Sequence, residues 1–555
     1  MVLDRDQLRW NGWGWKHESF ALSDARRHAL VQALSARFGV ALTPPPPAVA
    51  LDAVVLAPSR LDAAAREALE AALRREQVML DTADRAYHAA GKSLADLFRV
   101  RQGKLERAPD AVVYPTSTEE VARVLAIAHE HGLAVVPFGG GTSVVGGVDP
   151  ILPPNKRAVI ALDTTRLDRL LAIDYASLTA TFQAGIDGPS LEAELGDHGH
   201  TLGHFPQSFE HSTLGGWIAA RSSGQQSDGY GGIDALLVSA KVVTPRGELA
   251  TLTVPRHAAG PDLKQVVLGS EGILGVIVEA TVRIRQRMAV QDVRGMLFRD
   301  FASGIRTIRA WVAAGLPMMM MRLSDARETE LSLLLRHDPD KRFDPGSTLL
   351  DATKSVGYGD ERALMLFGIE GDDRTRLARK MLRAQAIGVL NGGLPLGKGP
   401  GESWKKERFR TPYLRDVLLD QGIAIDTMET AFEWSKLEEG HARVLAAMRD
   451  TTRRHAGGGL AMGHVSHSYP DGACVYFIVL YPVRPSDALE QWRAIKRDIT
   501  DAIVDAGGTV SHHHGIGTDH APWLSREKGA LGVEAIKALK RTFDPEGIMN
   551  PGKLF

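Results

Sequence analysis

A single cysteine, Cys474, is present among 555 residues. An internal disulfide is therefore excluded, and so is any zinc or iron–sulfur site built from several cysteines. Net charge is almost as scarce. The 66 Lys and Arg set against 67 Asp and Glu leave −1 at neutral pH, so no global field draws nucleic acid or an anionic membrane. No run of about 20 apolar residues exists to span a bilayer. The opening Met1-Val2-Leu3-Asp4-Arg5-Asp6 lacks the apolar stretch of a secretion signal. The closing Gly552-Lys553-Leu554-Phe555 lacks a peroxisomal tripeptide or prenylation motif. These absences predict a soluble cytoplasmic protein. What is present, 44% hydrophobic and 24% charged, is globular composition, and the length calls for two or more domains.

The tryptophans crowded into Arg9–Trp15 read as an anchoring strap on a domain surface. Pro44–Pro47 is a stiff polyproline spacer. Alanine, leucine and alternating charges from Leu61 to Met79 predict a helix, and Ser93–Val100 predicts another. Residues 1–105 thus read as an N-terminal helical extension without chemistry of its own. A strand opens at Ala111. Ser117-Thr118-Glu119-Glu120 then has the form of a capping box, Val121, Val124, Leu125 and Ala128 follow at helical spacing, and Gly132 stops the helix. A strand at Ala134–Pro137 comes next. Further strands are expected at Ala158–Leu162, Leu178–Phe182, Leu236–Thr244 and Gly275–Ile284, with a helix near Pro189–His198. Residues 106–285 therefore read as an α+β nucleotide-binding domain. Residues 286–505 read as a second α+β domain. Its strands are expected at Arg294–Phe298, Ala363–Gly368 and Val475–Val483, and its helices at Phe301–Ala314, Asp373–Ala386, Leu437–His455 and Pro485–Ala506. Arg327–Asp360 reads as a charged, irregular insertion. Residues 506–555 end in proline and glycine turns, which predict a tail packing back on the first domain.

Three stretches carry the first chemical signal. In Val135-Val136-Pro137-Phe138-Gly139-Gly140-Gly141-Thr142-Ser143 a short apolar run delivers three glycines and two hydroxyls. Without Cβ atoms, backbone N–H groups can crowd around an anion. No lysine follows, so this is not the usual nucleoside-triphosphate loop. By itself it also fits a glycine-rich hairpin turn. The second stretch is Gly203-His204-Phe205-Pro206-Gln207-Ser208 with Ser212-Thr213-Leu214-Gly215-Gly216-Trp217. Thr213 can cap a short helix there, presenting free N–H groups to an electron-rich edge. The third is Gly269-Ser270-Glu271-Gly272-Ile273-Leu274-Gly275-Val276-Ile277, whose small residues allow close backbone approach to a nucleotide. In this order the three resemble the FAD domain of the vanillyl-alcohol-oxidase/p-cresol-methylhydroxylase superfamily. The resemblance implies FAD held by Pro137, Phe138, Gly139, Gly140, Gly141, Thr142, Ser143, Pro206, Gln207, Ser208, Ser212, Thr213 and Gly216. It extends to Arg221, Ser222, Glu271, Gly272, Leu274, Gly275 and Ile277. The first loop has no histidine or cysteine to tether flavin, so non-covalent FAD is expected.

Two histidine-bearing segments lie downstream. Ser511-His512-His513-His514-Gly515-Ile516-Gly517 follows the apolar Gly508-Thr509-Val510. On a strand, His512 and His514 would share a side and His513 would face away. Histidines titrate near neutral pH and can move protons or hold an anion. Gly463-His464-Val465-Ser466-His467-Ser468-Tyr469 precedes Gly472-Ala473-Cys474-Val475-Tyr476-Phe477, where Tyr476 reads as one face of a strand.

The chain resembles the alkyldihydroxyacetonephosphate synthase family on several segments. These are Trp10-Asn11-Gly12-Trp13-Gly14, Met321-Arg322-Leu323, Pro412-Tyr413-Leu414-Arg415-Asp416, Gly472–Phe477 and Ser511–Gly517. The resemblance implies an α+β fold with a two-part FAD-binding domain, an α+β substrate (cap) domain at 286–505, and a C-terminal segment carrying the histidines. It implies exchange of the acyl chain of acyl-dihydroxyacetone phosphate for a fatty alcohol, through an adduct on flavin N5 and without net redox. In that scheme Tyr476, His512, His513, His514 and Arg322 are catalytic, and Arg415 binds substrate. A homodimer and a peripheral membrane contact come with the same likeness. The alternative is an FAD-dependent dehydrogenase or oxidase of a D-2-hydroxyacid. Two departures bear on the choice. Thr518-Asp519-His520 stands where the family has a basic run. His464 and His513-His514-Gly515 sit where the D-2-hydroxyacid enzymes place metal ligands, but histidine replaces their glutamate, and no metal ligand is assigned.

Overall fold

The computed structural model describes residues 4–336 and 353–555. Four strands open the fold: β1 (Val78–Met79), β2 (Ala111–Val113), β3 (Leu133–Phe138) and β4 (Ala158–Asp163). They form one sheet in the order β1-β2-β4-β3, parallel except for β1. β2, β4 and nearly all of β3 are buried, as the continuous apolar runs of a covered parallel sheet require. Ser117 caps the helix Thr118–His131, and Gly132 closes it in the left-handed conformation. The capping box is only half made. Glu120 accepts from the Thr116 backbone and Gln77 instead of returning to Ser117.

A second sheet uses β5 (Leu170–Asp174), β6 (Thr179–Gln183), β8 (Leu237–Thr244), β9 (Gly247–Ala250) and β10 (Val276–Arg283) in the antiparallel order β5-β6-β10-β8-β9. The short β7 (His200–Thr201) pairs with β11 (Arg285–Gln286). The third sheet has seven antiparallel strands: β12 (Val290–Phe298), β13 (Met320–Ser324), β14 (Ala363–Gly371), β15 (Leu394–Gly397), β16 (Ile423–Glu433), β17 (Leu460–Ser468) and β18 (Gly472–Pro482). Their order is β15-β12-β14-β13-β17-β18-β16. Helices Phe301–Ala313, Arg374–Leu390, Trp434–Ala456 and Ala488–Asp505 bury one face of this sheet. Along β18, Val475, Phe477 and Val479 enter that core, each contributing roughly 1.5–3 kcal/mol. Alternation then turns Tyr476 and Ile478 to the opposite face, onto a cavity.

Several expectations are corrected. The helix foreseen from Leu61 to Met79 covers only Ala63–Ala72, because the apolar residues beyond Leu73 form β1 of the first sheet. The N-terminal segment carries four α-helices and also this strand. Its tryptophan strap does more than coat a surface. Arg5, just before it, donates to the Gly139 carbonyl at 2.7 Å and pairs with buried Asp163, which ties the chain entering the strap to the first glycine loop. The irregular stretch from Arg327 begins as a helix, Ala326–Arg336; residues 337–352 of it lie outside the described residues. The tail is more than turns, since Leu524–Phe543 is helical with a break at Gly529. Beyond it, Val135 N donates to the Ile548 carbonyl and Asn550 N donates to the Val135 carbonyl, adding the tail to the edge at β3.

Candidate active site

β3 ends at Phe138, and the chain leaves the sheet as the first glycine loop. The backbone N–H groups of Gly139 to Ser143 find no acceptor among the described residues. Gly141 takes a positive φ of 68°, which favours glycine. The second loop lies directly behind the first: a Cβ on Gly140 would stand 1.7 Å from the His211 carbonyl oxygen. Thr213 caps the helix Leu214–Ala220 through the Gly216 N–H. The third loop meets the end of the first through the tail, because Asn550 Nδ2 donates to the carbonyls of Gly147 and Glu271, at 3.0 and 2.6 Å. Glu271 also reaches the histidine segment, accepting from Ile516 N at 2.6 Å and Gly517 N at 2.7 Å. Burial nonetheless raises its carboxyl to about 7.

The three loops line one wall of a cavity of about 400 Å³. All the expected cofactor residues border it except Arg221 and Leu274. Arg221 ends the helix in the left-handed conformation and turns outward to Gln265, at 2.6 Å. Leu274 packs with Leu524 and Leu554 under the C-terminal helix. A row of free backbone donors in a glycine-rich cradle fits the pyrophosphate of a dinucleotide.

The opposite wall comes from the seven-stranded sheet. His464 on β17 pairs in register with Tyr476 on β18, and Tyr476 pairs with Glu429 on β16. Directly opposed residues share a face, so these three form a row. Tyr476 stacks on His464 with ring centroids 5.1 Å apart. Burial pushes its hydroxyl well above the usual tyrosine range. Glu328 Oε1 accepts from Arg322 at 2.7 Å and lies 3.0 Å from His464 Nδ1. Burial opposes that carboxylate's charge, but His464 and Arg322 hold it well below the usual range.

The three histidines do not alternate along a strand. Residues 511–514 curl around the buried Glu429 carboxylate, whose Oε1 accepts from His512, His513 and His514 N–H at 3.2, 3.0 and 2.7 Å, and from Ser511 Oγ at 2.7 Å. His514 Nδ1 stands 2.6 Å from the other oxygen. Burial disfavours the anion, yet His514, His513 and the N–H donors keep Glu429 well below the usual carboxylate range. His513 and His514 border the cavity; His512 lies behind them, 2.6 Å from the Tyr469 hydroxyl. The sequence reading missed Glu429, because only recognising Ile423–Glu433 as a strand flags a carboxylate inside it.

Arg415 also borders the cavity. Its Nη1 donates to the Lys92 carbonyl at 2.7 Å, its guanidinium lies 5.6 Å from the Trp13 ring centroid, and Nε and Nη2 are buried without partners. Burial lowers its pKa, with Asp416 opposing. Trp13, from the N-terminal strap, lines the cavity and is a second residue whose place the sequence reading missed. Asp519, the unexpected acid after Gly517, does not border the cavity; burial raises its pKa to about 6.

Residues 109–253 match the FAD binding domain family and residues 287–554 match the family of FAD linked oxidases, C-terminal domain. A Dictyostelium discoideum alkyldihydroxyacetonephosphate synthase is 35% identical over 88% of this chain and 80% of its own. The Trypanosoma brucei brucei protein of the same name is 32% identical over 100% of this chain and 93% of its own. The chain belongs to the alkyldihydroxyacetonephosphate synthase family. A solved alkyldihydroxyacetonephosphate synthase superposes with a TM-score of 0.83 at 30% identity, covering 98% of both chains. p-Cresol methylhydroxylase shares the fold at a TM-score of 0.66 and 14% identity, covering 90% of this chain and 98% of its own. As a member of this synthase family the protein is an FAD enzyme.

The cradle gives a direct prediction. Gly140→Ala drives a methyl group into the His211 backbone. The variant is expected to purify with little flavin absorbance, and normal flavin content would refute the assignment of this loop to the cofactor.

Proposed function

We propose that this chain exchanges the acyl chain of acyl-dihydroxyacetone phosphate for a fatty alcohol, releasing a fatty acid without net redox. The observation that carries this reading is the single cavity joining the three loops to Tyr476, His514, Arg322 and Arg415. FAD, when bound, supplies the reactive ring system. The chain's own groups bind, orient and move protons. Arg415 offers two unpaired donors, Nε and Nη2, to the substrate's phosphate. Its backing by the Trp13 face limits the directions it can take. Arg322, held by Glu328, keeps positive charge beside Tyr476. Burial keeps the Tyr476 hydroxyl protonated, so it can hand a proton to a leaving carboxylate and recover one from the entering alcohol. His514, oriented by Glu429, is the partner for that exchange: its ring lies edge-on to Tyr476 at 5.5 Å. Met320, Met321, Ile425, Ile478 and Trp404 supply apolar lining for an alkyl chain.

A lipid substrate suits a peripheral membrane contact, and a homodimer is part of the same reading by analogy with the family alone. No helix among the described residues is long and apolar enough to cross a membrane.

Anaerobic mixing tests the reaction. Acyl-dihydroxyacetone phosphate with a fatty alcohol is expected to release fatty acid with no electron acceptor present. D-lactate and D-2-hydroxyglutarate are expected to leave the flavin oxidised. Bleaching by either hydroxyacid, without fatty-acid release in the first mixture, would replace the exchange with hydroxyacid oxidation.

A further inference from the structure

We infer that His467, Cys474, His512 and His513 form a zinc site at the edge of the cavity. Two strands and one loop bring these residues together. His467 on β17 and Cys474 on β18 are register partners beside the bulge in that pairing. His512 and His513 arrive from the loop around Glu429. One ligand atom from each of the four lies within 4.8 Å of all the others. The three imidazole rings make a nearly equilateral triangle, with centroids 5.2, 5.4 and 5.2 Å apart.

Histidine binds a metal as the neutral imidazole, through whichever ring nitrogen lacks a proton. His512 Nδ1 and His513 Nδ1 stand 2.9 Å apart. Two lone pairs at that separation must share a proton or a cation. The outer nitrogens already have partners: His467 Nε2 lies 3.0 Å from the Gly224 carbonyl, and His512 Nε2 lies 2.6 Å from the Tyr469 hydroxyl. An outward N–H on an oxygen, with the other nitrogen turned inward, is the arrangement that orients metal-ligating histidines. His467 Nδ1 meets Ser466 Oγ at 2.9 Å, and Ser466 also hydrogen-bonds Cys474, so ion binding replaces this hydroxyl at both ligands.

One thiolate and three imidazoles select zinc over harder cations, and four protein ligands close the coordination sphere. On binding, Cys474 releases its thiol proton to solvent. The added charge, two positive from the ion and one negative from the thiolate, faces the Glu429 carboxylate underneath the same loop. The site would fasten the histidine loop to the sheet. It would also divide the three histidines: His512 and His513 hold metal, while His514, on Glu429, stays available to Tyr476.

The test uses the purified flavoenzyme after exposure to zinc and dialysis. Elemental analysis is expected to find about one zinc per chain. Exchange with cobalt(II) is expected to give tetrahedral bands at wavelengths beyond the flavin absorption. Cys474→Ser and His467→Gln are expected to lose the metal while keeping FAD. Substoichiometric zinc in the unaltered enzyme together with no cobalt bands would overturn the proposal, whether or not the variants fold. Metal retained in Cys474→Ser but lost in Glu429→Gln would overturn it too. That result would put the ion on the neighbouring Glu429, His513 and His514.

Discussion

Tyr476→Phe is expected to lower turnover by about 10²–10⁴-fold while FAD stays bound. The hydroxyl removed is the one polar group that β18 projects between His464 and His514. The ring itself packs on His464, so phenylalanine keeps that contact and the strand register. Flavin absorbance and melting temperature should therefore stay close to those of the unaltered enzyme. Fatty-acid release measured under saturating substrate separates this from a binding defect. Near-normal turnover would remove Tyr476 from the proton path.

Glu429→Ala is expected to destabilise the protein by about 3–5 kcal/mol, as deletion of one partner from a buried ionic cluster does. Three backbone N–H groups, the Ser511 hydroxyl and the His514 ring all lose their acceptor at once. Denaturant unfolding of the unaltered and variant enzymes measures this, and a change below about 1 kcal/mol would refute a central role for the carboxylate. The same group sets an acid limit. Its folded pKa is depressed, so its stabilisation is complete above the unfolded glutamate value of about 4.3 and is lost as pH falls towards the lower folded value. The stability difference between the two proteins should accordingly shrink in acid.

The sequence made the local elements legible wherever a strand or helix carried its own period. β4, β6 and β8, and the helices at 301 and 434, lie within a few residues of their expected bounds. Tertiary pairing decided the rest. The residues after Leu73 have helical composition, yet a place beside β2 makes Val78 and Met79 extended. The glycine loops were readable because backbone approach to an anion demands a particular residue type in a local run. Glu429 was not readable, because its meaning lies in a loop more than 80 positions away that wraps around it. The same holds for Trp13, whose partner Arg415 is about 400 positions distant. The histidine run looked like a strand with alternating faces, and the carboxylate beneath it bends the backbone instead.

Asn550 closes the cradle by holding Gly147 and Glu271, and residues 548–550 complete the sheet edge at Val135. During synthesis this makes the cofactor site wait for residues 548–550. While they are still inside the ribosome, the first two glycine loops can be present and the third still lacks its clasp. Nascent chains that stop short of Ile548 should thus be poor flavin binders. They would present open sheet edge to chaperones and proteases, so that flavin uptake marks a chain whose clasp has been made and has packed.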